Sequence, residues 1–291
     1  MPPQPNMGTL GTKTLLGSSK PQRYATIPRY MTRTLHYEKK GTGPTTILVP
    51  GMLGSVRYWD PAVEQLQMQG RSTIALDLLG FGNSPKPRDC LYSAHDHADA
   101  IVATLKTINL TQPITVVGQS LSTVILVDVL TQMSGIIDRA VFLSPMLFSA
   151  DAEAKALIAN TTDVPAMFRH GPLAWALCHS LCKISALAKP VYAATGSGSS
   201  LPKKVLHDGR LHSWRSYSRS LKNTLIHQDV KKSLAACHIP ITLVRGIADS
   251  GLDQNFLEYV TTKNENISLQ TLVNSGHHPL YESFEETMAY I

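Results

Sequence analysis

The chain has 291 residues, of which 43% are hydrophobic, and a formal net charge of +6. This size suits one large domain, or a domain that carries a substantial insertion. No apolar run reaches the roughly 20 residues needed to span a bilayer, so stable membrane insertion is not expected.

The N-terminal stretch 1–30 is rich in proline and glycine and lacks the compact apolar core of a secretory signal. It is basic and free of acidic residues, so a transit peptide is one interpretation of it. Its prolines and glycines favour the other interpretation, a flexible tail.

The four cysteines are scattered in a chain that is large enough to fold without disulfides: Cys90, Cys178, Cys182 and Cys237. We therefore expect reduced thiols and a cytoplasmic protein. The spacing of Cys178, His179 and Cys182 is similar to half of a zinc site, but no second pair with zinc spacing follows it. Its apolar neighbours favour buried helix cysteines, so no metal is expected.

Seven short apolar runs predict strands, and the helical patterns between them predict crossovers. The predicted strands are Thr34 to Lys39, Thr45 to Val49, Arg71 to Leu76, Ile114 to Val117, Ala140 to Leu143, Ile241 to Val244 and Ile267 to Leu272. The predicted helices are Pro61 to Met68, Ala94 to Ile108, Leu121 to Met133, Gln254 to Thr262 and Tyr281 to Tyr290. Continuous apolar strands alternating with helices are typical of an α/β fold, with a mostly parallel central sheet flanked by helices.

One long interval breaks this alternation. Between Ser144 and Ile241 the sequence carries helical patterns but no clear strand, and a connection of that length is not a simple loop. We predict a core formed by residues 31–145 and 233–291, with 146–232 as an inserted helical lid.

The predicted lid holds the basic excess of the chain. From Asp151 to Lys232 there are 12 Lys and Arg against 5 Asp and Glu. These side chains are not interleaved with aromatic residues in any RNA-binding signature, so no nucleic-acid partner is expected. They either form a solvated outer face or, at Arg210, Arg215 and Arg219, face the pocket and select an anionic substrate.

The stretch VVGQSLS, residues 116–122, joins a predicted strand to a predicted helix. It is close to Gly-x-Ser-x-Gly, in which a tight turn raises the serine hydroxyl above the end of a strand. Gly118 supplies one small residue, and Ser122 stands where the second glycine would be. Ser120 is therefore a candidate nucleophile; the alternative is that it only caps the following helix.

Ligands of open parallel sheets bind beyond the carboxyl ends of the strands. An acid and a histidine follow two later strands, in GIAD at residues 246–249 and SGHHPLYE at 275–282. A serine, an acid and a histidine thus meet at one sheet edge, as activation of a serine hydroxyl requires.

These segments, together with LDLLGFGNS at 76–84, resemble the α/β-hydrolase fold superfamily, serine hydrolase type, from about Thr34 to the end. The resemblance implies that Ser120 is the nucleophile, Asp249 the acid and His277 the base. Asp253 is the nearest alternative acid, but it precedes a predicted helix and suits an N-terminal helix role better.

The resemblance also implies an oxyanion hole made of backbone N–H groups from Met52 and Leu121. The sequence departs from the family pattern at Pro50, where the family usually has histidine, and at Ser122 in place of glycine. No phosphate loop or dinucleotide glycine fingerprint is present, so no cofactor is expected.

The expected activity is hydrolysis of a small ester or related acyl compound through an acyl-enzyme. Carbon–carbon bond hydrolysis of a diketone-type acid, or other non-ester chemistry on the same triad, is the alternative. A non-catalytic protein on this fold is the third possibility. The expected partner is a small-molecule substrate, and the sequence does not indicate an oligomeric state.

Overall fold

The structure is a computed structural model that describes residues 34–110, 113–160, 176 and 200–291. The predicted tail 1–30 and the cysteine pair at 178 and 182 lie outside the described residues.

A seven-stranded sheet forms the centre of the protein, with strand order β1-β3-β2-β4-β5-β6-β7. β1 runs antiparallel to β3, and the other neighbouring strands are parallel. The strands are β1 Tyr37–Lys40, β2 Thr45–Val49, β3 Ser72–Leu76, β4 Ile114–Gln119, β5 Ile137–Leu143, β6 Ile241–Gly246 and β7 Ile267–Leu272. The predicted α/β class and mostly parallel sheet are therefore confirmed.

Helices cover both faces of this sheet. In the described parts of the chain they are α1 Asp60–Met68, α2 Ala94–Ile108, α3 Leu121–Gln132, α4 Asp151–Asn160, α5 Lys203–Asp208, α6 Trp214–Ser220, α7 Lys231–Ala235, α8 Gln254–Lys263, α9 Pro279–Glu282 and α10 Phe284–Met288. A short 3-10 helix, Val56–Trp59, precedes α1, and a π-helical turn, Leu221–Ile226, continues α6.

Alternate residues of the central strands pack into two apolar clusters. In β2, Ile47 and Val49 join the cluster that contains α2 and α3, whereas Leu48 joins the cluster that contains α1. Both sides of the strand are buried, which explains why its sequence is continuously apolar.

The predicted C-terminal helix is wrong in one respect. The chain forms two short helices, α9 and α10, instead of one helix from Tyr281 to Tyr290. Ser283 between them has φ −142° and ψ 63°, which is not helical. The first predicted strand also begins later, at Tyr37, and the fifth begins earlier, at Ile137.

The stretch between β5 and β6 is called the β5–β6 segment below (residues 144–240). Within its described parts, 144–160, 176 and 200–240, the secondary structure is helical, and no strand occurs. Helix α7 crosses the predicted lid boundary at residue 232. That this segment forms a separate lid stays a prediction. Among the described residues, the structure contains no helix that combines the length and hydrophobicity needed to cross a membrane.

Candidate active site

Ser120 lies on the tight turn between β4 and α3. Its backbone has φ 56° and ψ −123°, a conformation that residues with a side chain rarely adopt. The side chain makes no capping hydrogen bond to α3, so the alternative role as a helix cap has no support. The hydroxyl is thereby left to face the carboxyl ends of the strands.

Small residues allow the close approach of strand and helix at this turn. A Cβ on Gly118 would lie 2.5 Å from Leu126 Cδ1. Ser122, fully buried, accepts a hydrogen bond from Gln119 N at 2.8 Å and donates one to Val49 O at 2.8 Å. The serine that replaces the expected glycine therefore ties β2 and β4 to the turn.

Three predicted site residues form one hydrogen-bonded chain. His277 Nε2 lies 3.1 Å from Ser120 Oγ, and His277 Nδ1 lies 2.8 Å from Asp249 Oδ2. The side chain of Gln119 donates to His277 O at 3.1 Å, which fixes the backbone of the histidine. This arrangement can pass the serine proton to an imidazole that a carboxylate orients.

The two candidate acids have different contacts. Asp249 is buried and bonds to His277, and its Oδ1 also accepts from Gly251 N at 3.0 Å. Asp253 caps α8 by accepting from Phe256 N at 3.0 Å, and it accepts from Ser149 N at 3.2 Å. Asp253 thus serves as the N-cap of helix α8, as its position in the sequence indicates.

The electrostatic environment keeps Asp249 ionised. Its burial acts to raise the pKa of the carboxyl, but the hydrogen bond and charge of His277 and the hydrogen bond from Gly251 together hold that pKa below its usual value. An ionised Asp249 can stabilise a protonated His277.

The loop after β2 reaches the nucleophile through Gly51. A Cβ on Gly51 would lie 2.4 Å from Gln119 Oε1 and 2.9 Å from Ser120 Cβ, so only glycine fits. Within the described part of the chain, neither Met52 N nor Leu121 N donates a hydrogen bond to a protein group. Both N–H groups are therefore available to an acceptor on a ligand.

Comparison with known proteins gives the family of the chain. The family model described as alpha/beta hydrolase fold matches residues 44–284. The chain belongs to the alpha/beta hydrolase fold family. It is 28% identical over 159 residues to the probable lysophospholipase BODYGUARD 4 of Arabidopsis thaliana, covering 50% of this chain and 38% of that protein.

Other similar proteins agree with this family. The probable lysophospholipase BODYGUARD 5 of Arabidopsis thaliana is 23% identical over 84% of this chain and 60% of its own length. The matches thus span less than two thirds of the length of these curated relatives. An esterase structure from Exiguobacterium antarcticum superposes with a TM-score of 0.66 at 15% identity, covering 88% of this chain and 93% of that chain.

The sequence reasoning missed one residue of this alpha/beta hydrolase, Glu282. Its Oε2 accepts hydrogen bonds from Gly276 N at 2.6 Å and Ser275 Oγ at 3.2 Å, and its Oε1 accepts from Ser200 Oγ at 2.8 Å. Partial burial acts to raise the pKa of Glu282, but these hydrogen bonds and His278 bring it below its usual value. Glu282 thus holds the loop that carries His277.

His278 is a packing residue beside the site. Its ring lies 5.3 Å from that of His277 and 6.1 Å from that of Tyr58. Burial, together with the charge of His277, lowers the pKa of His278 to about 4. It is therefore neutral near pH 7.

The three arginines considered for anion selection have different environments. Arg215 is exposed, and Arg219 donates to the backbone oxygens of Arg88 and Cys90. Arg210 is half-buried, and its Nε is out of solvent without a hydrogen-bond partner among the described residues. Of the three arginines, Arg210 is therefore the remaining candidate for binding an anionic substrate.

Over residues 34–110, 113–160 and 200–291, no group of three or more His, Cys, Asp or Glu side chains is arranged to hold a metal ion.

Proposed function

We propose that this alpha/beta hydrolase is a serine hydrolase of a small ester or related acyl compound. The observation that supports this most directly is the hydrogen-bonded chain from Ser120 through His277 to Asp249, at 3.1 and 2.8 Å. In this proposal Ser120 is the nucleophile, His277 the base and Asp249 the acid that orients it. No cofactor takes part.

The first half of the reaction forms an acyl-enzyme. His277 Nε2 takes the proton of the Ser120 hydroxyl while its oxygen attacks the carbonyl carbon. The Met52 and Leu121 N–H groups donate to the oxygen that becomes negative, and a preorganised donor of this kind contributes about 10²–10³ to kcat. His277 then gives the proton to the leaving alcohol. Water activated by the same histidine releases the acid.

Carbon–carbon bond hydrolysis of a diketone-type acid is the second candidate. It would use the same three side chains, with an arginine to bind the carboxylate. Arg210, whose Nε is out of solvent without a hydrogen-bond partner among the described residues, is the arginine proposed for that role. A small molecule is the proposed partner in either case, and a cytoplasmic location remains a prediction from the cysteines.

The test combines covalent labelling with a substrate panel. A fluorophosphonate probe should label the purified protein once, at Ser120, and Ser120→Ala should remove labelling and lower kcat by about 10⁴ or more while the fold is kept. Neutral acyl esters of several chain lengths, a carboxylate-bearing ester and a diketone-type acid then separate the two reactions. Labelling at another serine, with activity retained in Ser120→Ala, would refute the assignment.

A further inference from the structure

A buried carboxylate of the β5–β6 segment bonds to the end of the loop that contains Met52. Asp208, at the end of α5, accepts hydrogen bonds on Oδ2 from Ser55 Oγ at 2.6 Å and from Arg57 Nε at 2.6 Å. Its Oδ1 pairs with Arg57 Nη2, so the guanidinium binds both carboxylate oxygens. Asp208 and Ser55 are each 3% exposed. Such charge-assisted, paired hydrogen bonds fix geometry as well as adding attraction.

One donor to Asp208, Ser55, is the last residue of the proposed oxyanion loop, residues 50–55, and the other, Arg57, lies two residues beyond it. Ser55 also caps the 3-10 helix that follows, accepting from Arg57 N at 3.3 Å. Val56 N donates to Asp77 Oδ1 at 2.7 Å. The end of the loop is therefore held by two buried carboxylates, one from the sheet core and one from the β5–β6 segment.

The same segment packs on the middle of the loop. A Cβ on Gly209 would be 3.7 Å from Leu53 O and 3.8 Å from Leu53 Cβ, an ordinary contact distance. Leu53 has φ 67°, a conformation that residues with a side chain seldom adopt without support from their surroundings. Met52 thus lies between Gly51, which is close to Ser120, and Leu53, which lies next to Gly209 of the segment.

We propose that Asp208 is a positioning residue for the oxyanion hole, acting through Ser55 and Arg57 to hold the Met52 N–H where the oxyanion forms. This inference rests on the proposed function. An oxyanion donor must lie within about 2.7–3.1 Å of the charged oxygen, so a small shift of this loop weakens transition-state binding more than substrate binding.

A second ion pair on the same helix provides the matched control. Lys204 of α5 pairs with Asp60 at the start of α1, beyond the oxyanion loop. Breaking that pair also removes an attachment between α5 and the core, but it leaves Ser55 and Arg57 in place. The Lys204 pair is more exposed than the Asp208 pair, so its loss should cost less stability whatever Asp208 does. A merely structural role for Asp208 therefore predicts a change in stability alone, whereas a positioning role also predicts a fall in kcat and in the affinity for an oxyanion mimic.

The experiment compares Asp208→Asn and Arg57→Met with Lys204→Met. We expect the first two to lower kcat on a neutral ester about tenfold or more with KM nearly unchanged. The affinity for a trifluoromethyl ketone, which adds reversibly to Ser120 and places an oxyanion in the hole, should fall by a similar factor. Lys204→Met should stay within about twofold in both measurements. Arg57 is half-exposed, so Arg57→Met serves if Asp208→Asn does not fold.

Two results would overturn the inference. One is a loss of thermal stability in Asp208→Asn and Arg57→Met with kcat and ketone affinity retained. The other is an equal loss in Lys204→Met. A wild-type protein that neither reacts with a fluorophosphonate nor hydrolyses any ester would instead contradict the proposed function itself, before the variants are compared.

Discussion

The two aspartates that follow β6 differ by four positions and have separate roles in the structure. Asp249 faces His277 Nδ1 at 2.8 Å, whereas Asp253 satisfies the first turn of α8 and Ser149 N. Spacing alone does not separate them, because both lie in the loop where the acid is expected. The contacts separate them, since Asp253 uses one oxygen for Phe256 N and the other for Ser149 N, whereas Asp249 Oδ2 bonds to His277.

Exchanging each aspartate for asparagine tests this assignment. Asp249→Asn should lower kcat by about 10⁴, because an amide supports the wrong histidine tautomer and supplies no charge. Asp253→Asn should stay within a few-fold of wild type, because asparagine is also a good N-cap. Steady-state kinetics on the best ester measures both. Reversed effects of the two changes would mean that Asp253 is the acid.

Some residues of the site could be predicted and others could not. Ser120, Asp249 and His277 each follow a strand and sit in short motifs, so the topology of a parallel sheet brings them together. Asp208 does not lie in a recognisable sequence motif. Its partner Arg57 is 151 positions away in the sequence, and an ion pair over that separation leaves no local pattern. The hydrogen bonds of Glu282 also depend on the end of helix α9 at this residue, which the helix propensities of the sequence do not reveal.

The loop and helix that carry His277 form one unit through Glu282. Its side chain turns back to Gly276 N, and the backbone leaves the helical conformation at the next residue, Ser283. The short helix α9 begins at Pro279, whose fixed φ suits a first turn. The histidine is therefore placed by a compact element of the chain.

Replacing Glu282 by glutamine should loosen that element. Glutamine keeps one carbonyl oxygen but loses the charge that strengthens the bonds to Gly276 N and Ser200 Oγ. Because the group is partly exposed, we expect a loss of about 1 kcal/mol in the free energy of unfolding, and a several-fold fall in kcat. Urea denaturation and ester kinetics measure the two effects.

Glu286→Gln is the control for this change, since Glu286 is exposed on the neighbouring helix α10. It should alter neither quantity. If Glu282→Gln behaved like Glu286→Gln, the hydrogen bonds to Gly276 and Ser200 would have no role in placing the histidine.

At the scale of the whole molecule, a buried histidine makes stability depend on pH. His97 of α2 is fully buried, with Nε2 3.0 Å from Ser220 Oγ and its ring beside those of Phe81 and Tyr92. Burial lowers its pKa from 6.5 to about 4. Between these two values the unfolded chain binds a proton that the folded chain does not, so folding stability falls as the pH falls.

The size of this effect is measurable. From pH 7 to pH 4, His97 should remove roughly 3 kcal/mol from the free energy of unfolding, at about 1.4 kcal/mol for each unit of pKa difference. His97→Gln should flatten the dependence by a comparable amount, and His95→Gln, an exposed change on the same helix, is the matched control. Urea titrations at several pH values test this. A slope unchanged in His97→Gln would show that other groups cause the acid sensitivity.

The hydrogen bonds that connect the β5–β6 segment to the rest of the protein affect how this segment can be exchanged between alpha/beta hydrolases. Ser200, Asp208 and Arg219 each bond to a different stretch of the chain that follows a strand of the sheet. A chimera that received this segment from another alpha/beta hydrolase would lose the side-chain bonds to Ser55, Arg57 and Glu282 unless the new segment carried matching side chains. The unit to exchange is thus larger than the β5–β6 segment: we expect a functional exchange to need Ser55 and Arg57, about 150 residues upstream, together with the segment.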